Sequence, residues 1–587
     1  MPNASEGPEP SVSFTRRAWY LVAVVASLLA LGAWLYAMGL HAAVPRVTLL
    51  PGVRADSQPR RLIVFVKGVG ADVESYAPLI ARLRREPQLA GSDVLVFDHR
   101  LRRLSMSRAA DVSTRLRAEI DAQWIRSGGY DDVILAGHST GSLLVRKAYL
   151  ASAGRDAMQP RTVPWADHVS RIVMLSGIGR GVDAEEHGAW SWVLATGRFV
   201  PLLRRSVMYD VLRGSAFVTN VRIQWITHFS SLEREGKAAP MVVQLLGTED
   251  EVIKRDDNID FEQYPNAFQI DVPGAHHRTI QRLDEERDPE PRYRLIREAF
   301  VAATFPNAVP RHVLRDSVER VVILLHGIRS SRNGWVRDLA PQLRARLAHV
   351  EVVESSYGYI SILEFALPSV RRRQLRWLQD RYTELLARHP NARFDVVAHS
   401  NGAYLLGESL SQVPAMRFDH VLLLGSVLPA EYPWRERFAL GQVQYLRSDR
   451  AADDAVVALW CSALHGVGMM DVGTSGWRGF DDTGPSQMEV SWAKGGHSAA
   501  LTSANLAGLT EFLATGEILP TVGQIATAPA RSFARLSRLA PWIAWIAICA
   551  LALGSLHWLR VRPAALSRRA VGVAVVVVAI AALLDAL

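Results

Sequence analysis

The chain has 587 residues, 49% hydrophobic and 21% charged, with a mean hydropathy of +0.06; this excludes a disordered chain and leaves room for two large domains or three to four of about 150 residues. The net charge is +9 and nearly all the basic excess is arginine, which suits an anionic membrane or a nucleic acid; with no zinc finger, RNP-like aromatic run or isolated basic arm, the membrane is the expected partner and nucleic acid is not. The two cysteines, Cys461 and Cys549, exclude a disulfide framework and a four-ligand zinc site.

A tail over residues 1–17 leads into residues 18–40, which carry no charged side chain. That suffices for the ~20 apolar residues that cross a bilayer as helix. Arg16 and Arg17 precede the run, and Trp19, Tyr20, Trp34 and Tyr36 lie near its ends, where amphipathic rings prefer the interface. It is longer than the ~7–15-residue core of a cleaved signal peptide, so an uncleaved transmembrane helix is expected.

From residue 46 to 530 short apolar runs alternate with longer helical stretches. The expected strands are Leu62–Val66, Val94–Phe97, Val133–Ala136, Ile172–Leu175, Val242–Leu246 and Phe268–Val272. The plan then repeats with Val321–Leu325, Val350–Val353, Phe394–Ala398, Val421–Leu424, Val443–Leu446 and Met488–Trp492. β-Branched runs separated by helices predict two mostly parallel sheets covered on both faces, over residues 46–304 and 311–530. Residues 539–559 and 570–587 are expected to span the membrane again. Arg560, Arg562, Arg568 and Arg569 lie between these last runs. By the positive-inside tendency these arginines and Arg16 and Arg17 belong in the cytoplasm, which puts the middle outside it, as in an integral protein of a bacterial-type inner membrane.

The first half carries Gly137-His138-Ser139-Thr140-Gly141 between an apolar strand and a helix. A G-x-S-x-G there puts the serine hydroxyl on a tight turn, with glycines where any side chain would strike backbone. A hydrolase of this kind needs an acid and then a histidine. Asp250 directly follows a strand, and His276 and His277 follow the next; Asp256, Asp257 and Asp260 are alternative acids. Earlier, Lys67-Gly68-Val69 ends a strand where a second oxyanion donor belongs.

The second half repeats the plan. Its turn is Ala398-His399-Ser400-Asn401-Gly402, its early loop His326-Gly327-Ile328, its acid Asp453 or Asp454, and its histidine His497. Laid over one another, Asp250-Glu251-Val252-Ile253 matches Asp454-Ala455-Val456-Val457. Gly274-Ala275-His276 likewise matches Gly495-Gly496-His497, which selects His276 over His277.

On these motifs both halves resemble the α/β-hydrolase superfamily, of the serine esterase and lipase kind. The resemblance covers everything between the membrane segments and implies two tandem α/β-hydrolase domains with transmembrane helices on either side. It implies Ser139 and Ser400 as nucleophiles, Asp250 and Asp454 as acids, and His276 and His497 as bases. Val69 with Thr140, and Ile328 with Asn401, would donate backbone N–H groups to the oxyanion. The implied activity is cleavage of carboxylic esters, lipid esters included, through an acyl-enzyme. An acyltransferase, or a membrane protein that keeps one or both folds only for binding, is the alternative. No metal-ligand cluster or phosphate loop is visible in the sequence, so no metal or other cofactor is expected.

Substrate choice is expected to lie in the insertion over 177–240, whose Trp190, Trp192, Phe199, Tyr209, Phe217, Trp225 and Phe229 suit an acyl-chain lid. The second half has a short insert there and a longer one at 461–487.

Overall fold

The computed structural model describes residue 32 and residues 43–561, except 54–58, 157–159, 184–203, 256, 258–263, 265, 285–286, 306–317, 329–333, 355–356, 359 and 520–524. Apart from residue 32, the expected spans at 18–40 and 570–587 lie outside the described residues, as do the aromatics Trp190, Trp192 and Phe199 and the alternative acids Asp256 and Asp260.

The first sheet contains β1 Arg46–Leu50, β2 Arg61–Val66, β3 Asp93–Asp98, β4 Asp132–His138, β5 Val169–Leu175, β6 Met241–Gly247 and β7 Ala267–Val272, in the order β1-β3-β2-β4-β5-β6-β7. Every pairing is parallel except β1 with β3. The second contains β8 Arg320–Leu325, β9 Val350–Val353, β10 Arg393–His399, β11 Phe418–Leu424, β12 Val443–Ala451, β13 Gln487–Ala493 and β14 Ile525–Ala526, in the order β14-β13-β12-β11-β10-β8-β9. Here only β13 with β14 is antiparallel. Reading β3-β2-β4-β5-β6-β7 against β9-β8-β10-β11-β12-β13 gives one topology twice.

The central strands are buried on both faces, which is why they read as unbroken apolar runs. Along β2, Leu62, Val64 and Val66 enter one core while Ile63 and Phe65 enter the other. Along β8, Val321, Ile323 and Leu325 alternate in the same way with Val322 and Leu324. The two strands absent from the sequence reading are edges: β1 is largely exposed, and β14 has two residues, too few to show a period.

The two halves share a core. Helices named here are α1 Thr140–Ser152, α2 Ala216–Arg234, α3 Pro368–Arg388, α4 Asn401–Gln412 and α5 Arg531–Val561. Helix α2 belongs to the first half, yet Ile223 and Ile226 are buried in the second half's core beside Leu378 and Tyr382 of α3. Each contributes about 1.5–3 kcal/mol by leaving water. Beside them Asp380 of α3 receives Arg180 through two hydrogen bonds of 2.8 and 2.7 Å, and Arg222, 1% exposed, at 3.0 Å. Gly214 (φ +67°) lets the chains touch: a Cβ there would lie 2.0 Å from the Arg376 carbonyl oxygen.

Two of the expected lid aromatics are core residues instead. Trp225 and Phe229 are buried, their rings 4.5 Å apart, with Tyr264 4.7 Å from Phe229. They sit on the face of α2 that packs on the first sheet, opposite the face lent to the second half. Among the described residues one helix, α5, is long and apolar enough to cross a membrane. Its Trp545 donates to the Gly466 carbonyl at 3.0 Å, while Leu539, Trp542, Ile543, Ile546, Leu551 and Leu553 are exposed.

Removing the carboxylate that joins the halves should be costly, because two guanidinium groups would stay half-desolvated around its place. Asp380→Ala should lower unfolding stability by about 3–5 kcal/mol, read by thermal or urea unfolding. A loss under about 1 kcal/mol would class the cluster with exposed ion pairs.

Candidate active site

Ser139 joins β4 to α1 at φ 51°, ψ −121°, and Ser400 joins β10 to α4 at φ 55°, ψ −118°. Non-glycine residues in such regions cost about 1–3 kcal/mol and persist only where the surroundings dictate them. Here the surroundings are backbone. A Cβ on Gly141 would lie 2.3 Å from the Val66 carbonyl oxygen, and one on Gly402 2.6 Å from that of Leu325. A Cβ on Gly137 would meet Ser142 N at 2.6 Å; the second half carries Ala398 there, fully buried, so its elbow makes room for a methyl. Each serine amide donates to the neighbouring strand end, Ser139 to Leu175 at 3.0 Å and Ser400 to Leu424 at 3.1 Å.

In the first half Ser139 Oγ lies 2.8 Å from Nε2 of His277. His277 Nδ1 lies 3.1 Å from both oxygens of Asp250. The Asp250 carboxylate also accepts the amides of Val252 and Ile253 at 2.9 and 2.8 Å. Burial alone would raise its pKa; hydrogen bonding, first from His277, outweighs this and holds it below the ordinary value.

His276, selected from the sequence, is not the histidine beside the serine. Its side chain is 54% exposed, with Nδ1 3.0 Å from the Glu249 carbonyl oxygen and Nε2 3.2 Å from the Glu249 carboxylate. The cause is a one-residue difference in loop length: His277 is five residues beyond the end of β7, His497 four beyond the end of β13. The buried Ala275 takes up the extra residue. Its carbonyl accepts the Glu249 amide at 3.1 Å and packs so closely on Gly247 that a Cβ there would come within 2.1 Å. That fixes the turn with His276 outward and His277 inward. The other candidate acid, Asp257, is tied to Arg213 and the Lys254 amide.

A buried polar frame holds this site. His138 donates through Nε2 to the His277 carbonyl at 2.8 Å, and its Nδ1 accepts the Tyr76 hydroxyl at 2.6 Å. His99 is fully buried. It donates through Nε2 to the Lys67 carbonyl at 2.8 Å and accepts the Leu101 amide at 3.0 Å. Lys67 anchors its loop through Asp98 at 3.1 Å and the Ala71 carbonyl at 2.7 Å. This fixes Gly68 against the elbow, where a Cβ would touch Ser139 Cβ at 3.0 Å. Val69 and Thr140 line a cavity of about 540 Å³ with Ser139 and His277. As first helical residues, Thr140 and Asn401 have amides with no partner in their own helix.

In the second half His497 Nδ1 lies 2.8 Å from Asp454, whose other oxygen accepts the Val457 amide at 2.9 Å. His497 Nε2 is buried and, among the described residues, hydrogen-bonded to none, Ser400 included. Its ring is pressed on Gly425, where a Cβ would lie 3.1 Å from Nδ1. Gly327 stands against Ser400 as Gly68 does against Ser139, and Ile328 follows it, half-buried against the core. The Asn401 side chain donates to the Tyr357 hydroxyl at 3.1 Å and Gln374 at 3.2 Å, and His326 stacks on Tyr357 at 4.4 Å. Asp453 accepts the Gly495 amide at the surface.

At the opposite end of β10 and β11, Asp395, Asp419 and His420 converge, a cluster spread too far in the sequence to be noticed there. Arg320 already supplies its positive charge, 3.2 Å from Asp395 and 3.8 Å from Asp419.

No protein-family model matches the chain, and no curated protein matches it. Among solved structures it is similar to a monoacylglycerol lipase of Paleococcus ferrophilus, at 17% identity over 43% of this chain and 97% of that one, TM-score 0.28. It is similar to a soluble variant of monoglyceride lipase from Saccharomyces cerevisiae, at 13% identity over 44% and 91%, TM-score 0.31. It is also similar to a membrane phospholipase A, at 15% identity over 50% and 100%, TM-score 0.25.

The frame has a pH consequence. Burial, and then a neighbouring group (Lys67, His277 and His497 respectively), pushes the pKa of His99, His138 and His399 down to about 3. In the unfolded chain these rings take up protons below about pH 6.5, while the folded rings stay neutral to about pH 3. Stability should therefore fall as pH drops between those values, by about 1.4 kcal/mol per pH unit per ring. Thermal midpoints from pH 7.5 to 5 measure this, and His138→Gln should flatten the slope.

Proposed function

We propose that the protein is a membrane-anchored serine hydrolase that cleaves carboxylic esters, lipid esters among them, with Ser139, His277 and Asp250 as its principal triad. The observation that carries this reading is the unbroken line from Ser139 Oγ to His277 at 2.8 Å and from His277 to Asp250 at 3.1 Å. The strained elbow that presents the serine supports it, as does a cavity lined by Val69 and Thr140 beside Ser139 and His277.

In this mechanism His277 Nε2 takes the Ser139 proton as Oγ attacks the acyl carbon. Asp250 fixes the ring with Nδ1–H toward itself and stabilises the imidazolium. The N–H groups of Val69 and Thr140 hold the oxyanion, each worth roughly 3–4 kcal/mol of barrier. The imidazolium then protonates the departing alkoxide. Water, deprotonated by the same ring, attacks the acyl-enzyme and releases the acid and free Ser139.

The second half fits the same roles through Ser400, His497 and Asp454, with Ile328 and Asn401 as donors. The unpartnered His497 Nε2 favours a slower second site. Helix α5 is the anchor nearest the second half, with 18–40 and 570–587 as the other proposed spans, the hydrolase halves lying outside the cytoplasm.

A fluorophosphonate probe tests the reading. Ser139 should label faster than Ser400, and Ser139→Ala should remove the fast phase. His277→Ala should slow Ser139 labelling at least ~100-fold, as loss of a general base does, while His276→Ala changes it less than about threefold. Equal effects of the two histidine substitutions, or no labelling of Ser139, would sink the assignment.

A further inference from the structure

The cavity at Ser139 is polarised. Ile178, Val182 and Met208 give it an apolar wall, while Arg103, Arg278 and Arg282 bring three guanidinium groups to the same space. Among the described residues no carboxylate pairs with Arg103 or Arg278. The cavity's own two acids are engaged: Glu251 accepts the His277 amide at 3.1 Å, and Asp72 interacts with Glu74 and Lys67. Burial, and then the charge of Arg278, holds the Arg103 pKa below its ordinary value. Two neighbouring cations with no carboxylate paired to either, one of them half-buried, repel each other unless an anion lies between them. Planar guanidinium groups suit a tetrahedral oxyanion, which each can grip through two N–H donors.

The chain order says which end of the substrate meets this charge. Arg278 directly follows His277, the group that must protonate the leaving alcohol, whereas Ile178 follows β5 and Met208 lies in the insertion before β6, both remote from His277 in the chain. We propose that the Ser139 cavity selects esters whose alcohol half carries a phosphate-type anion held by Arg103 and Arg278, with the acyl chain along the apolar wall. This rests on the hydrolase reading of Ser139. In the reaction the acyl carbon–oxygen bond breaks, Ser139 Oγ takes the acyl group, and the alkoxide gains its proton from His277. The alcohol departs with its phosphate intact, and water releases the carboxylic acid.

The test is protection of Ser139 from a fluorophosphonate probe, in full-length Ser400→Ala protein so that only Ser139 reports. The competitors are dodecanoylglycerol and the same molecule phosphorylated on its glycerol. The phosphorylated competitor should halve labelling at a concentration at least about tenfold lower, as expected of a charge-assisted clamp. Arg103→Gln with Arg278→Gln should bring the two concentrations together. If that variant does not fold, ionic strength serves on the unaltered arginines. Raising NaCl from about 50 to about 500 mM should weaken the phosphorylated competitor and not the neutral one. Equal potency, preference for the neutral molecule, or a preference indifferent to both the substitutions and salt would overturn the inference. Absence of labelling without competitor would instead overturn the hydrolase reading itself.

Discussion

Everything at the two sites depends on a serine held at φ near +50° between a strand and a helix. Left alone, that backbone would relax and turn the hydroxyl away. It persists because helix and strand meet at glycine: Gly141 lies under the carbonyl end of β2, Gly402 under that of β8, and neither position has room for one more carbon. The helix start is thereby pinned to the sheet. With it come the free amides of the first helical residues and the loop that ends β2 or β8.

One topology built twice gives one elbow twice, but the polar frame around each differs. In the first half a lysine–aspartate pair and two buried neutral histidines fix the early loop and the back of His277. In the second an aromatic stack of His326 on Tyr357 takes the place of the lysine, and Tyr357 and Gln374 hold the Asn401 side chain. Among the described residues His399 keeps only one of the two hydrogen bonds of His138, to the His497 carbonyl at 3.3 Å, and its Nδ1 has no hydrogen-bond partner. A looser frame behind His497 accords with its ring resting on Gly425 without reaching Ser400.

The strands and both elbows were legible because they depend on local pattern: apolar runs of strand length, and glycines at fixed offsets from a serine. The edge strands β1 and β14 were not, since one is exposed and the other two residues long. His276 was chosen by matching glycines across the halves, but loops of unequal length cannot be matched residue by residue. What separates adjacent histidines is the buried Ala275 and its carbonyl against Gly247, a tertiary contact with no local signature. The cationic cavity was invisible for the same reason, since Arg103 and Arg278 are distant in the chain and only the fold brings them together.

The insertion before β6 shows how far the duplicated units have diverged. Read as a lid, its aromatics suited a ligand; in the fold Trp225 and Phe229 hold α2 on the first sheet so that its other face can complete the second core. A helix with two buried faces, polar Arg222 and Gln224 among its buried residues, shows no single apolar stripe, and sequence pattern cannot say which neighbour each face serves. The union reaches the sites. Val182, bridged to Leu212 in the same insertion, lines the Ser139 cavity and also the cleft of about 390 Å³ between the halves. Across that cleft stand Tyr357 and Gln374, the residues that hold Asn401. The wall of one site is thus continuous with the support of the other, and the second half cannot be cut free without losing Ile223 and Ile226 from its core.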